Sequence, residues 1–206
     1  MSERAVTSSR KQFDHWAHTY DRGFNTWYFD QTIKAVLCQL PGEEFRLLDV
    51  GCGTGRLLSK ASHDFPLARL SGIDLSPNMI ERARYQPYRT VPELLVCSAD
   101  HLPYHDAAFE FVVCSHSLHH HPDPCASLRE MHRVLVPGGM VLLTDGVLDS
   151  LLHRAYFALV NLAQREWYVH RLPSDILRQL FLQTGFEVVG QKIIMGFNML
   201  FVLRKK

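Results

Sequence analysis

The stretch Leu47–Gly55 constrains the fold of this chain more than any other. It reads Leu-Leu-Asp-Val-Gly-Cys-Gly-Thr-Gly, an apolar run that contains one acid and then places glycines at alternate positions. Glycine lets the backbone turn sharply and approach a ligand closely because it has no Cβ. The first turn of a following helix offers free N–H groups and a positive dipole end. The stretch therefore predicts the strand, turn and helix of a parallel α/β sheet that binds a nucleoside.

A second acid narrows the classes of ligand that this site could bind. Asp74 ends the apolar run Ala68–Asp74, where a carboxylate can accept hydrogen bonds from both hydroxyls of a ribose. The glycine pattern differs from the G-x-G-x-x-G pattern of dinucleotide sites, since Arg56 stands where the third glycine of that pattern would be. Asp49 would repel a pyrophosphate but suits an amino group or a sulfonium. A nicotinamide-dependent oxidoreductase, the weaker alternative, therefore fits the fold but not this loop.

Strand-like and helix-like segments alternate along the rest of the chain. Their patterns predict seven strands, the last two antiparallel neighbours, at Phe45–Val50, Ala68–Asp74, Glu93–Cys97, Phe109–Ser115, Met140–Asp145, Glu187–Ile194 and Asn198–Leu203. Helices are predicted at Gln12–Tyr20, Trp27–Leu40, Arg56–Asp64, Asn78–Tyr85 after a Ser76-Pro77 cap, Pro124–Leu135, 149–167, and from a Ser174 cap to Thr184. This is the pattern of a Rossmann-like, doubly wound α/β sheet with an N-terminal helical cap.

The length of 206 residues suits one domain. We expect a flexible segment at 1–10, a helical cap or lid at 11–42, a cofactor-binding core at 43–146, and substrate-side helices with the final strands at 147–206. The net charge of +1 gives no electrostatic reason to expect nucleic acid as a partner. No apolar run reaches the ~20 residues of a transmembrane helix. Five cysteines without a Cys-x-x-Cys pair predict reduced thiols and a cytoplasmic location.

Five motifs occur in order and carry a family resemblance. They are Leu-Leu-Asp-Val-Gly-Cys-Gly-Thr-Gly, Gly-Ile-Asp-Leu-Ser, Ala-Asp-His-Leu-Pro-Tyr, Phe-Glu-Phe-Val-Val-Cys and Val-Leu-Val-Pro-Gly-Gly. From about residue 12 to about residue 146 the chain resembles the small stand-alone class I methyltransferases that use S-adenosylmethionine. Within them it is most similar to the group that includes the ubiquinone/menaquinone-biosynthesis C-methyltransferases. The resemblance implies a seven-stranded sheet with an antiparallel last strand, S-adenosylmethionine as cofactor and S-adenosylhomocysteine as product.

The same resemblance implies a set of cofactor contacts. Asp49 and the loop residues Gly51, Cys52, Gly53 and Gly55 would surround the methionine part, and Asp74 would hold the ribose hydroxyls. Leu75 and Met79 would lie against the adenine, Asp100 would accept from its amino group, and His101 and Leu102 would flank the ring. Ser115 and His116 would face the transferable methyl group, and Tyr20 would close over the cofactor as a lid. For Asp100 the alternative is a solvated loop acid or a turn cap, and for Tyr20 it is packing of an amphipathic helix with Phe13 and Trp16.

The histidine cluster His116, His119, His120, His121 follows the fourth strand. Consecutive histidines point in different directions, so we predict no metal site. The related enzymes often carry Leu-His-His here, which makes His119 or His120 the candidate general base or acceptor-orienting residue, together with Tyr20. The alternative is that these histidines only pack against the loop. Asp145, at the end of the fifth strand, is either a helix cap or a residue that faces the substrate.

The predicted function is methyl transfer by in-line displacement to a small hydrophobic or aromatic acceptor. The segment Val147–His170 is apolar and aromatic and suits such an acceptor, although core packing explains it too. An adenosylmethionine sensor, or a partner subunit that binds the cofactor without transfer, is the alternative from another class. An arsenic methyltransferase would need converging thiols from Cys52, Cys97, Cys114 and Cys125. It is disfavoured because Cys52 and Cys114 stand where any small residue would serve.

Overall fold

The computed structural model describes residues 10–11, 13–15, 17, 20–21, 24–42, 44–163 and 171–206. A seven-stranded sheet forms its centre, in the order β3-β2-β1-β4-β5-β7-β6. The strands are β1 Arg46–Val50, β2 Arg69–Asp74, β3 Glu93–Val96, β4 Phe109–Ser115, β5 Leu135–Gly146, β6 Phe186–Met195 and β7 Asn198–Lys205. β7 runs antiparallel to both β5 and β6, and the pairs among β1 to β5 are parallel. The predicted doubly wound sheet with an antiparallel last strand is confirmed.

Helices connect and cover the strands. They are α1 Phe24–Leu37, α2 Arg56–Asp64, α3 Pro77–Ala83, α4 Pro124–Val134, α5 Leu151–Ala163 and α6 Ser174–Gln183, with a short 3-10 turn at Leu118–His120. Two starts follow from local chemistry. The Ser76 hydroxyl, the predicted cap, accepts a hydrogen bond from the Met79 N–H at 3.1 Å. The Asp123 carboxylate accepts from the Ala126 N–H at 2.9 Å and so begins α4.

Apolar residues on both faces of the sheet explain the continuous hydrophobic runs. Leu48 and Leu143 belong to one buried cluster, whereas their neighbours Leu47 and Leu142 belong to the other. Successive side chains in a strand point to opposite faces, so a strand that is covered on both sides must be apolar at every position. Among the described residues, no helix is both long and apolar enough to span a membrane.

Several predicted boundaries differ from those in the structure. The predicted helix Trp27–Leu40 is observed as α1, Phe24–Leu37. The fifth strand begins at Leu135 rather than Met140, because Pro137–Gly139 form an irregularity within the strand rather than a turn before it. Ser174 is the first residue of α6 and not its cap, and Asp149 Oδ1 accepts its N–H at 2.7 Å. The helix predicted at 149–167 is observed as α5, and residues 164–170, with Trp167 and Tyr168, lie outside the described ranges, as does Trp16.

The strand order positions the candidate site. β1 lies between β2 and β4, so the chain leaves β1 and β4 toward opposite sides of the sheet. A crevice forms at such a switch point, outside the carboxyl ends of the strands. The predicted ligand residues Asp49, Asp74, Ser115 and His116 lie at or next to these ends. The division of the chain into cap, core and substrate side stays a prediction.

Candidate active site

The three loop glycines all have positive φ, but they serve different purposes. A Cβ on Gly51 would lie 2.5 Å from the Ser117 hydroxyl, and one on Gly55 would overlap the Tyr88 hydroxyl and lie 3.0 Å from the Ala83 Cβ. A Cβ on Gly53 would meet nothing within 4 Å. Gly53 and Gly51 line the open clefts described next, whereas Gly55 does not. The third glycine therefore permits close packing of the loop on α3, and its cofactor contact stays a prediction.

Two adjoining clefts open at the carboxyl ends of the strands. The larger, which we call the main cleft, has a volume of about 710 Å³ and the smaller, the side cleft, about 470 Å³. Tyr20, Gly51, Gly53 and Ser115 line both. The other predicted residues in the main cleft are Asp74, Leu75, Met79, Asp100, His116 and His120, and those in the side cleft are Asp49 and Cys52. His101 and Leu102 line neither cleft, because His101 is exposed and Leu102 is buried in the core.

Two buried carboxylates face these clefts. Asp49 is 2% exposed, and its Oδ1 has no hydrogen-bond partner among the described residues. Burial, and then the neighbouring charge of Asp74, raise the pKa of Asp49 to about 7. Asp74 accepts from the Gly53 N–H at 2.9 Å and from the Ser76 N–H at 2.8 Å. Burial nevertheless raises the pKa of Asp74 to about 6. A cation in the side cleft would relieve the cost of ionising Asp49.

Arg56 lies in the same side cleft and was not predicted as a site residue. Its Nη2 donates to Asp30 Oδ1 at 2.7 Å, and its Nε lies 3.9 Å from Asp21 Oδ1. Its Nη1 is buried and has no hydrogen-bond partner among the described residues. The sequence signal was present, since Arg56 begins the helix directly after the glycine loop. The side cleft thus presents an unpartnered guanidinium nitrogen and an unpartnered carboxylate oxygen.

The N-terminal segment covers the clefts through both aromatic and polar contacts. The ring of Tyr20 stacks on Phe29 with centroids 5.5 Å apart, and burial raises the pKa of its hydroxyl. The Thr54 hydroxyl donates to Asp21 Oδ1 at 3.0 Å, and the Ser76 hydroxyl donates to Asp14 Oδ1 at 2.5 Å. These bonds tie the segment to the glycine loop and to the start of α3. Tyr20 is positioned where a lid would have to be.

His116 connects three distant parts of the chain. Its φ is 52°, and its Nε2 lies 3.1 Å from Thr32 Oγ1 and 3.2 Å from Asn198 Nδ2. Asn198 Nδ2 also donates to Thr32 Oγ1 at 2.9 Å. The rings of Tyr28 and Phe29 lie 5.2 Å and 5.5 Å from the imidazole. Burial lowers the pKa of His116 to about 4, so the ring is neutral at pH 7. Asn198 was not predicted, because nothing in a strand sequence marks one asparagine as a buried junction.

His119 and Asp145 form a buried pair behind the main cleft. His119 Nδ1 lies 2.6 Å from Asp145 Oδ1, and Asp145 also accepts the His119 and Gly146 N–H groups. Among the described residues Asp145 therefore caps no α-helix, although it accepts an N–H of the 3-10 turn; the other predicted alternative, that it faces the substrate, stays a prediction. Burial and the charge of Arg171 lower the pKa of His119 well below its usual value. A neutral His119 that donates its Nδ1 proton to Asp145 keeps Nε2 as a basic atom.

Arg171 and the remaining histidines complete this region. Arg171 Nη2 lies 3.4 Å from His119 Nε2, and its guanidinium carbon lies 4.1 Å above the Phe157 ring. His120 lines the main cleft and packs its ring 4.1 Å from that of His119. His119 itself lines a smaller cleft of about 230 Å³. Among the described residues, no group of three or more histidines, cysteines or acids is arranged to hold a metal ion.

Comparison with known proteins places this geometry in a family. The family profile described as "Methyltransferase domain" matches residues 48–143. The demethylmenaquinone methyltransferase of Chlamydia trachomatis is 30% identical over 220 aligned positions, which cover 94% of this chain and 94% of that protein. The chain belongs to the class I S-adenosylmethionine-dependent methyltransferases. The predicted family and its cofactor, S-adenosylmethionine, are confirmed.

Two further comparisons differ in their coverage and in their sequence identity. The demethylmenaquinone methyltransferase of Chlorobaculum tepidum is 33% identical over 153 positions, which cover 70% of this chain and only 62% of that protein. A Thermotoga maritima structure, described as an S-adenosylmethionine-dependent methyltransferase and possible histamine N-methyltransferase, superposes with a TM-score of 0.77. It is 23% identical and covers 96% of this chain and 100% of its own, so it shows the methyltransferase fold and no more.

Proposed function

We propose that this methyltransferase moves the methyl group of S-adenosylmethionine to a small, hydrophobic, aromatic acceptor whose attacking atom carries a proton. The observation that supports it most is the pair of unpartnered buried atoms in the side cleft, Asp49 Oδ1 and Arg56 Nη1. They are complementary to the ammonium and the carboxylate of an amino acid. Gly53 lines both clefts, so one ligand could place its amino acid part against these two atoms and its adenosine in the main cleft.

The residues present fit this cofactor. Asp49 and Arg56 would hold its amino acid end, Asp74 its ribose hydroxyls, and Asp100 its adenine amino group. Leu75 and Met79 provide an apolar wall in the main cleft, where Met79 is 1% exposed. When bound, the cofactor supplies a methyl group on a positively charged sulfur, which needs no further activation. The protein's task is then to align the acceptor and to exclude water.

Tyr20 and Phe29 would exclude water from the reacting centre. Their stacked rings lie on the N-terminal side of the clefts, and both line the side cleft. The bonds from Thr54 to Asp21 and from Ser76 to Asp14 would hold this cover in place. Aromatic faces also attract a sulfonium through cation–π interaction. The product has lost that charge and would be held less tightly by the same residues.

The acceptor would lie on the far side of His116, against aromatic rings. Tyr28 contacts His116, and Phe157 and Tyr156 pack on Phe197 at 4.6 Å and 5.3 Å. Arg171, stacked on Phe157, and the His119–Asp145 pair provide the polar groups here. We assign proton removal from the acceptor to His119 Nε2, which would exchange its contact with Arg171 for the acceptor, with Asp145 fixing the tautomer, as in other histidine–carboxylate pairs. His120, which faces the main cleft, would orient the acceptor.

Relatives named demethylmenaquinone methyltransferase support an aromatic acceptor. The near-zero net charge gives nucleic acid no support. The thiols of Cys52 and Cys114 are free and buried, which suits a reducing compartment, so we place the reaction in the cytoplasm.

Calorimetry and a labelled-methyl assay test the proposal together. S-adenosylhomocysteine should bind the wild type and should bind Asp74→Ala at least about tenfold more weakly. Methyl transfer should appear with naphthols or reduced naphthoquinones in a screen that also contains small amines and fatty acids. Undiminished binding by Asp74→Ala would contradict the site. Tight binding with no transfer to any acceptor would favour the sensor or partner-subunit alternative.

A further inference from the structure

The outward face of α5 is apolar. Leu151, Leu152 and Leu159 are 83%, 76% and 67% exposed, and Tyr156, whose ring stacks on Phe197 on one side, is 49% exposed at the edge of this face. With Ala155 and Ala158, which are also exposed, they cover a continuous arc of about 160° at 100° per residue. The helices of a globular protein ordinarily turn such a stripe toward the core. Here the stripe points into solvent.

The inward face of α5 is held by few side chains. Phe157 is 5% exposed and packs on Phe197, and the His153 ring lies 6.0 Å from the same Phe197. Arg171 lies on the Phe157 ring. The inward side of α5 therefore forms a wall of the proposed acceptor region. The exposed apolar face is the other side of the same helix, so only the thickness of α5 separates the two.

The size and chemistry of the face indicate what covers it. The three leucines and the half-exposed Tyr156 present on the order of 500 Å² of accessible surface. A stable protein interface buries more, ~800 Å² per partner. Apart from the Tyr156 hydroxyl, no side chain in the arc can make a directional hydrogen bond, whereas a typical protein interface contains about ten. The helix contains no acid, and exposed Arg154 lies at the border of the arc. Asp149, two positions before the helix begins, accepts the Ser174 N–H.

We propose that α5 docks on the surface of a lipid bilayer, with its leucines among the acyl chains and Arg154 at the level of the phosphates. This is how helices lie in the plane of a membrane interface. The inference rests on the proposed function in one respect: a hydrophobic acceptor partitions into membranes, and α5 would bring the acceptor region next to that source. The contact needs no transmembrane helix.

Vesicle co-sedimentation of the full chain tests the proposal. The probes are phosphatidylcholine vesicles, with and without phosphatidylglycerol. The triple variant Leu151→Ser, Leu152→Ser, Leu159→Ser should lose at least about tenfold in partitioning, because burial of those side chains drives it. The matched control is Leu67→Ser with Leu182→Ser, which changes leucines that are 70% and 58% exposed elsewhere, and it should stay within about twofold of the wild type. Equal binding by the triple variant, or no binding by the wild type, would overturn the proposal.

Two further measurements distinguish membrane docking from self-association and from misfolding of the variant. Sedimentation velocity without vesicles should show the same species for the wild type and the triple variant. A wild-type dimer that the triple variant abolishes would make this face a protein interface and overturn the proposal. Binding of S-adenosylhomocysteine should be unchanged in the triple variant, which shows that it is folded. A wild type that binds vesicles but neither the cofactor nor any acceptor would contradict the proposed function and leave the docking face intact.

Discussion

Asp49 Oδ1 and Arg56 Nη1 are buried in the same cleft, and neither has a hydrogen-bond partner among the described residues. A buried polar atom without a partner costs about 1–3 kcal/mol, and more when it is charged. Two such atoms of opposite charge, on either side of a glycine loop, have the arrangement needed to bind a zwitterion. Gly53 lies between Asp49 and Arg56 in the sequence, and a Cβ there would meet no protein atom within 4 Å, so the space beside it is open to a ligand.

Arg56→Met should weaken the binding of ligands that carry a carboxylate. We expect S-adenosylhomocysteine to lose about 1.5–3 kcal/mol, since a hydrogen bond to a charged group is removed. 5′-Methylthioadenosine, which has no carboxylate, should bind as it does to the wild type. Calorimetry with both ligands measures the difference, and Arg69→Met, at an exposed ion pair with Glu44, is the control. Equal losses for the two ligands would show that Arg56 acts only through its bonds to the N-terminal segment.

Asp49 should make the stabilisation by ligand depend on pH. Burial raises the pKa of Asp49 to about 7, so the folded protein keeps a proton that the unfolded chain releases near pH 4. The stabilisation from this group is complete below the unfolded value and is lost as the pH rises through about 7. The ligand's ammonium favours the ionised form, so S-adenosylhomocysteine should raise Tm more at pH 7.5 than at pH 5.5. Thermal unfolding of Asp49→Asn should show a smaller change between the two pH values, whereas Asp64→Asn, at an exposed acid, should behave like the wild type.

Gly53 and Gly55 should respond differently to alanine. Gly55→Ala places a Cβ against Tyr88 and Ala83 at positive φ, so it should lower the free energy of unfolding by roughly 2–4 kcal/mol. Adding Tyr88→Phe removes the overlapping hydroxyl and should recover part of that loss. Gly53→Ala should cost only the backbone strain of about 1–2 kcal/mol but should weaken cofactor binding, since its Cβ occupies the cleft. Denaturant unfolding and calorimetry on the same variants separate the two effects, and losses of stability without loss of binding at Gly53 would be the contrary result.

Asp145→Asn should slow transfer without weakening cofactor binding. An asparagine in place of Asp145 can donate to His119 Nδ1 and leave the proton on Nε2, the wrong tautomer for a base. By analogy with other histidine–carboxylate pairs, kcat should fall by about 10²–10⁴. The kcat of His119→Asn should fall by a similar amount. The kcat of the double variant should fall no further, because the two residues act as a unit. The exposed His105→Asn is the control. Full activity in Asp145→Asn would remove the pair from the mechanism.

Arg171→Lys should weaken the binding of a phenolic acceptor without weakening that of S-adenosylmethionine. A guanidinium stacked on Phe157 beside His119 is placed to stabilise an oxygen that becomes negative as it loses its proton. KM for a phenolic acceptor should rise about tenfold in Arg171→Lys, since the planar stacking geometry is lost. KM for S-adenosylmethionine should not change. Steady-state kinetics with each substrate varied in turn measures both, and a shared rise in the two KM values would indicate a general loss of structure instead.

The parts of the fold that follow local rules could be predicted from the sequence. Buried strands are apolar at every position, and the acid or small residue that ends each one lies at the shared edge of the sheet. That is why Asp49, Asp74 and Ser115 were expected together and are found together. The start of α3 at Ser76-Pro77 followed from capping chemistry alone.

The parts that depend on distant contacts could not be predicted. Pro137–Gly139 read as a turn, but the bulge opposite Phe109 and Phe111 lets the strand continue through them. The motif predicts that Leu102 flanks the adenine, and it gives no sign that the residue belongs to the buried core. The motif predicts Gly55 as a cofactor contact, but it gives no sign that Tyr88, a residue 33 positions later, also leaves no room for a side chain there. Local sequence patterns do not show which distant residues pack against each other.

Asn198 joins β7 to α1 and to His116, and this gives the site an order of assembly. Its amide reaches Thr32 across 166 positions of the chain, and it is fully buried. During synthesis, the glycine loop, Asp74 and the histidines leave the ribosome long before this asparagine does. A nascent chain can thus form the cofactor end of the crevice while the wall around His116 is still open. The hairpin of β6 and β7 completes that wall when Asn198 reaches Thr32 on α1.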